Sequence, residues 1–172
     1  MRVIVGLTIA CLRCAPPVQR LVMLLSQLLD PRCILIPTRE TERFAVIREL
    51  VDTLAEAGLI PSAGPVCEAV IAREQLRSTG IGYGLAVPHA KSADAPRLLT
   101  AVGKPAQPVD FKSVDGRPCE LVILLVSPPH ETTAHVQALA RISRMWLKEP
   151  FRVAVRAATD AASLLQAVRE QE

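Results

Sequence analysis

Apolar side chains recur at helical spacing in the first half of the chain: Phe44, Ile47, Leu50, Val51 and Leu54 form a stripe that stops at Gly58. That spacing predicts a core-facing helix, with Thr38 as a candidate cap and Glu40 in its first turn. A second helix is predicted from Pro65 to about Leu76, which places Arg73 and Glu74 near its C-terminal end. Leu121 to Val126 is continuously apolar and bounded by Glu120 and Ser127-Pro128-Pro129, the pattern of a central strand buried on both faces. Leu98 to Val102 reads as another strand and Leu85 to Val87 as a brief one.

Beyond Pro129, residues Val136, Leu139, Ala140, Trp146 and Leu147 predict an apolar helical face, with Thr132 or Thr133 as the cap. His135 then falls in the first turn, where free backbone N–H groups favour an anion. Phe151, Val153 and Val155 alternate as in a strand. Asp160 is positioned to cap a last helix carrying Leu164, Leu165 and Val168. Helices alternating with strands imply one α/β domain, a sandwich with a central mixed sheet covered by helices.

Half of the 172 residues are hydrophobic, enough to bury a substantial single core. Aromatic residues make up only 3%, which argues against stacking platforms for single-stranded nucleic acid. The formal charge of +3 comes from Arg2, Arg13 and Arg20, with no acid before residue 30; the remaining 17 basic and 17 acidic side chains balance. No nucleic-acid partner is expected, because that balance removes the electrostatic basis for one. Five cysteines, at positions 11, 14, 33, 67 and 119, lack the spacing of a disulfide framework and suit a reducing cytoplasm. Cys11 and Cys14 form a C-x-x-C with no second pair or neighbouring histidine to complete a zinc site.

Arg2 followed by the apolar stretch Val3 to Leu12 has the charge and length of a signal-peptide start. Arg13 interrupts it, Ala-Pro-Pro stands where a cleavage motif belongs, and it is too short to span a membrane, so no stable membrane insertion is expected.

The chemistry concentrates between Arg73 and His89, R-E-Q-L-R-S-T-G-I-G-Y-G-L-A-V-P-H. Three of the eight glycines, Gly80, Gly82 and Gly84, fall within five residues and allow positive φ and close backbone approach. Pro88 fixes its own φ and restricts Val87, stiffening the approach to His89.

This segment resembles the hallmark of the EIIA domains of the mannitol/fructose/nitrogen class, type 2, in the bacterial phosphoenolpyruvate phosphotransferase system. Leu85 and Val87 are conservative apolar replacements and Tyr83 occupies a freely varied site. P-V-D-F at 108–111, D-G-R-P at 115–118, the apolar run ending at Pro128 and H-V-Q-A-L-A-R at 135–141 follow in the family's order, so the resemblance covers roughly residues 23 to 168. It implies a mannitol-specific EIIA-like fold and a helix, rather than a strand, around Phe151 to Val155. Met23-Leu-Leu-Ser-Gln-Leu-Leu is similar to the first helix of such domains. A domain over 23–172 is therefore expected, with 1–22 an extension or a mis-assigned start.

By the same resemblance His89 is the phosphoryl acceptor, His135 the supporting histidine and Arg73 a phosphate partner. A neutral imidazole can attack phosphorus near physiological pH, and a guanidinium fork suits a dianion. Ser78 and Thr79 can donate to phosphoryl oxygens or hold the turn together. Glu74 would repel phosphate and is expected to fix the helix end or pair with a base. No metal or other cofactor is expected, since His89, His130 and His135 lack a paired helical arrangement and a carboxylate companion. The implied function is a phosphocarrier taking its group from an HPr-type protein and passing it to an EIIB domain. The alternative is a nitrogen-type regulator whose phosphorylation state controls kinases or transporters.

Overall fold

The computed structural model describes residues 24–172. The expectations for residues 1–22, for the Cys11–Cys14 pair and for a start at Met23 lie outside that range.

One 3₁₀ turn over Leu25–Gln27 leads into β1 (Leu29–Thr38), followed by α1 (Arg43–Glu56) and α2 (Ala63–Leu76). Three short strands come next, β2 (Gly80–Gly82), β3 (Leu85–Ala86) and β4 (His89–Lys91), then β5 (Leu99–Pro105) and β6 (Leu121–Ser127). The chain ends in α3 (Thr132–Trp146), α4 (Glu149–Ala157) and α5 (Ala161–Gln171). The six strands form one mixed sheet in the order β1-β5-β6-β3-β2, with β4 also paired to β6. β6 runs antiparallel to β5 and parallel to both β3 and β4.

Every residue of β6 is buried, as its unbroken apolar run requires. Strand alternation divides its side chains between two cores. Val122, Leu124 and Val126 pack with Val46, Ile47, Leu50 and Leu54 of α1 and Val66 and Val70 of α2. Leu121 and Ile123 pack on the other face with Ile142, Met145 and Trp146 of α3, Phe151 and Val155 of α4, and Leu164, Leu165 and Val168 of α5. The sheet is thus covered by helices on both faces.

Several local expectations change. Instead of continuing as a helix, the chain after Gln27 enters β1, which the apolar pattern did not predict. Pro31, Pro37 and two register shifts against β5 break its period of two, which an edge strand tolerates. Thr38 ends β1 and its hydroxyl donates to the Glu40 carbonyl at 3.1 Å. The cap of α1 is Glu42, whose carboxylate accepts from Phe44 and Ala45 N–H at 2.9 and 3.2 Å.

The buried face of α3 is also rotated from the predicted one. His135, Ala138, Ile142, Met145 and Trp146 are buried, whereas Val136 and Leu147 are exposed. Neither Thr132 nor Thr133 caps it; Glu131 holds the N-cap position and Thr132 Oγ1 donates to the Pro129 carbonyl. Residues 149–157 form a helix: Phe151 and Val155, four apart, are buried while Val153 faces outward. Asp160 caps α5 in a reciprocal capping box with Ser163.

Candidate active site

His89 opens β4 and pairs with Leu125 of β6, whose N–H donates to the Pro88 carbonyl at 3.0 Å. Its Nδ1 lies 2.8 Å from the Val87 carbonyl oxygen. A carbonyl only accepts, so Nδ1 carries the proton and Nε2 keeps its lone pair. Burial holds the His89 pKa below the ordinary histidine value; the Val87 hydrogen bond opposes this and the Arg73 charge adds to it.

His135 reaches the same place from the first turn of α3 and is only 4% exposed. Its Nδ1 meets the hydroxyl of Ser127, the last residue of β6, at 2.7 Å. The two imidazole rings are edge to face, with centroids 5.6 Å apart and planes at 63°. Burial first, then the neighbouring His89 and Lys91, pushes the His135 pKa down to about 4. Both rings are therefore neutral at neutral pH, the state a histidine nucleophile needs.

The glycine segment builds the adjoining wall. β2 and β3 form a hairpin through Gly82, Tyr83 and Gly84 at φ 96°, 54° and 83°. Asp115 accepts from the Tyr83 N–H at 2.8 Å, and Trp146 Nε1 donates to the Tyr83 carbonyl at 3.0 Å. These bonds hold a non-glycine residue in the left-handed region, at a cost on the order of 1 kcal/mol. A Cβ on Gly80 would stand 2.9 Å from Ser113 Cα, so only glycine fits there.

Beside His89 lies an open cleft of about 360 Å³ lined by Arg73, Arg77, Ser78, Thr79 and Val87, among others. The expected residues Arg73, Ser78, Thr79 and His89 thus share one cleft, and His135 stands against His89. Arg73 spends one N–H on the Arg77 carbonyl at 2.9 Å. Ser78 Oγ donates to the Phe111 carbonyl at 2.5 Å and accepts from the Gly80 N–H at 3.0 Å. Both the hydroxyl and the N–H of Thr79 donate to the buried Glu74 carboxylate. His130 is exposed in the turn before α3.

Three groups that touch this site were not predicted. The Val87 carbonyl carries no side-chain signal, and Ser127 was read only as a strand boundary. Lys91, two residues beyond His89, donates to Thr132 Oγ1 at 2.7 Å; a cation following P-H was the one signal available.

The family model for the phosphoenolpyruvate-dependent sugar phosphotransferase system, EIIA 2, matches residues 27–171. The chain belongs to this family.

Among EIIA 2 relatives, the fructose-specific EIIABC component of Bacillus subtilis is 31% identical over 87% of the chain, which spans only 24% of that protein. A nitrogen regulatory protein of Bradyrhizobium diazoefficiens is 33% identical over 83% of the chain and 92% of its own length. The crystal structure of IIA-Ntr from Neisseria meningitidis superposes with a TM-score of 0.77 at 26% identity, covering 84% of this chain and 98% of that one. IIA mannitol from Escherichia coli shares the fold, with a TM-score of 0.69 at 19% identity over 81% of this chain and 98% of that one. Among the described residues no helix is long and apolar enough to cross a membrane.

Proposed function

We propose that this EIIA 2 chain is a phosphocarrier in which His89 Nε2 accepts a phosphoryl group from an HPr-type phosphohistidine protein and passes it to an EIIB domain. The observation that carries this reading is the Nδ1 contact with Val87 O at 2.8 Å, which leaves Nε2 as the nucleophilic nitrogen. As the Nε2–P bond forms, the P–N bond of the donor breaks. The donor ring, protonated on its other nitrogen, leaves as neutral imidazole with the electron pair of that bond. Positive charge developing on His89 is met by the Val87 carbonyl at Nδ1–H.

The phosphoryl oxygens are met from two sides. Arg73 keeps further N–H donors beyond the one given to Arg77, and its planar fork suits a dianion. With Ser127 donating to His135 Nδ1, the His135 proton sits on Nε2, where it can bond a phosphoryl oxygen. Ser78 and Thr79 contribute the shape of the cleft, since both hydroxyls already have protein partners. The free thiols Cys33, Cys67 and Cys119 suit the reducing cytoplasm in which such donors work.

A second reading, a nitrogen-type regulator using the same phosphohistidine as a signal, is favoured by the backbone similarity. The TM-score is 0.77 to IIA-Ntr and 0.69 to the mannitol protein. The two readings separate when the phosphorylated chain is mixed with sugar-type EIIB domains. Transfer of label to EIIB is expected of the sugar carrier, and retention on the chain with altered binding of a kinase or transporter is expected of the regulator. A folded chain that takes no label from several HPr-type donors would defeat both.

A further inference from the structure

Glu74 is 1% exposed and lies one residue from Arg73, yet its side chain turns away from the cleft. One oxygen, Oε2, accepts from the Thr79 N–H at 3.0 Å and from the Thr79 hydroxyl. The other, Oε1, has no hydrogen-bond partner among the described residues; Arg43 Nη1 stands 3.8 Å away and is itself stacked on the Phe44 ring. A buried carboxylate paired this loosely is costly, and burial raises its pKa against the opposing Thr79 and arginine interactions. Closing the end of α2 does not require such a cost, because a serine, threonine or asparagine can bond a nearby backbone N–H.

The hydrogen bonds continue beyond Thr79. The Thr79 carbonyl accepts from the Val87 N–H at 3.0 Å, and the Val87 carbonyl is the group that holds His89 Nδ1. On the opposite edge the same segment is tied to β6 through Ala86 and Pro88. The Val87 peptide is therefore clamped between β6 and Thr79, and Glu74 closes the Thr79 side of the clamp.

We propose that Glu74 is the positioning residue of His89. Its carboxylate fixes Thr79, Thr79 fixes the Val87 peptide, and that peptide fixes the tautomer and direction of the imidazole. The pairing of Arg73 with Glu74 then acquires a reason: consecutive residues at one helix end supply the phosphoryl's cation and the brace for its acceptor, locking the distance between them. This inference rests on the phosphocarrier reading, but its first readout is independent of phosphorylation.

The test compares Glu74→Met, which keeps length and removes the acceptors, with Glu74→Gln, which keeps an acceptor, and with Thr79→Val, which removes only the hydroxyl. Long-range ¹H–¹⁵N correlations of the His89 ring report which nitrogen bears the proton. Wild type is expected to be Nδ1–H, and Glu74→Met to populate Nε2–H. Label transfer from a phosphorylated HPr-type donor should fall about tenfold at saturating donor in Glu74→Met, with little change in the half-saturating concentration, because misorientation of the acceptor lowers the rate more than the binding. Glu74→Gln should stay within about threefold of wild type, since the amide oxygen can still accept from Thr79. If Glu74→Met does not fold, Thr79→Val decides: a mixed tautomer supports the brace. A folded Glu74→Met or Thr79→Val with His89 wholly Nδ1–H would overturn it, as would a Glu74→Gln as impaired as Glu74→Met. A wild type that takes no label defeats the functional reading alone, and the ring tautomers still decide the role of Glu74.

Discussion

His89 and His135 meet edge to face with ring centroids 5.6 Å apart, and each ring is held at Nδ1, His89 by donating to the carbonyl of Val87 in the link between β3 and β4, and His135 by the hydroxyl of Ser127 at the end of β6. One ring arrives on β4 and the other on α3, so the pair exists only because β4 and α3 both dock on β6. Fixing both Nδ1 atoms directs the chemistry to the Nε2 atoms.

Acid should weaken the fold through this pair. In the unfolded chain His135 takes up its proton near the ordinary histidine value of 6.5, whereas in the folded chain it does so only at about 4. Between those values the unfolded state binds more protons, so stability is full above about pH 6.5 and declines as pH falls toward about 4. The full loss is roughly 3 kcal/mol by linkage. The depressed His89 pKa acts in the same direction. Urea unfolding across this range should show the decline in wild type and a shallower slope in His135→Gln; parallel slopes would remove His135 as its cause.

Gly80→Ala should be destabilising despite its small added volume. The new Cβ would meet Ser113 Cα at 2.9 Å, and the Ser78–Phe111 hydrogen bond, two residues upstream on each segment, resists their separation. A loss of about 2 kcal/mol is expected from overpacking. Chemical denaturation measures it, and a change below about 0.5 kcal/mol would mean that the loop yields freely.

Arg73 should matter through its fork as well as its charge. Arg73→Lys is expected to slow phosphoryl acceptance about tenfold and Arg73→Ala about a hundredfold, since lysine keeps the charge but loses planar two-point contact. Initial rates of label transfer at fixed donor concentration provide the comparison. Equal rates in wild type and Arg73→Ala would leave Arg73 as a tie to the Arg77 carbonyl.

Where the sequence was readable, a single physical signal dominated. Leu121 to Val126 is apolar throughout because both sheet faces are covered, and the stripe from Phe44 to Leu54 has one partner surface, so both elements stood out. β1 was missed because its prolines and bulges erase alternation. The face of α3 was misassigned because Val136 and Leu147 are apolar yet exposed, while the polar His135 is buried. His89, Arg73, Ser78 and Thr79 were found through the motif and do share a cleft. The inward turn of Glu74 and the Val87 carbonyl under His89 depend on backbone direction, which residue types alone do not encode.

The most direct measurement is the position of the phosphoryl group. Wild type, His89→Ala and His135→Ala are incubated with phosphoenolpyruvate, enzyme I and an HPr-type carrier, and the product is mapped by mass spectrometry and ³¹P NMR. Acid-labile, base-stable phosphohistidine at His89 Nε2 is expected in wild type, none in His89→Ala, and label with abnormal onward transfer in folded His135→Ala. Label persisting in folded His89→Ala, or mapping to His135 or to His89 Nδ1 in wild type, would contradict the assignment of His89 Nε2 as the acceptor.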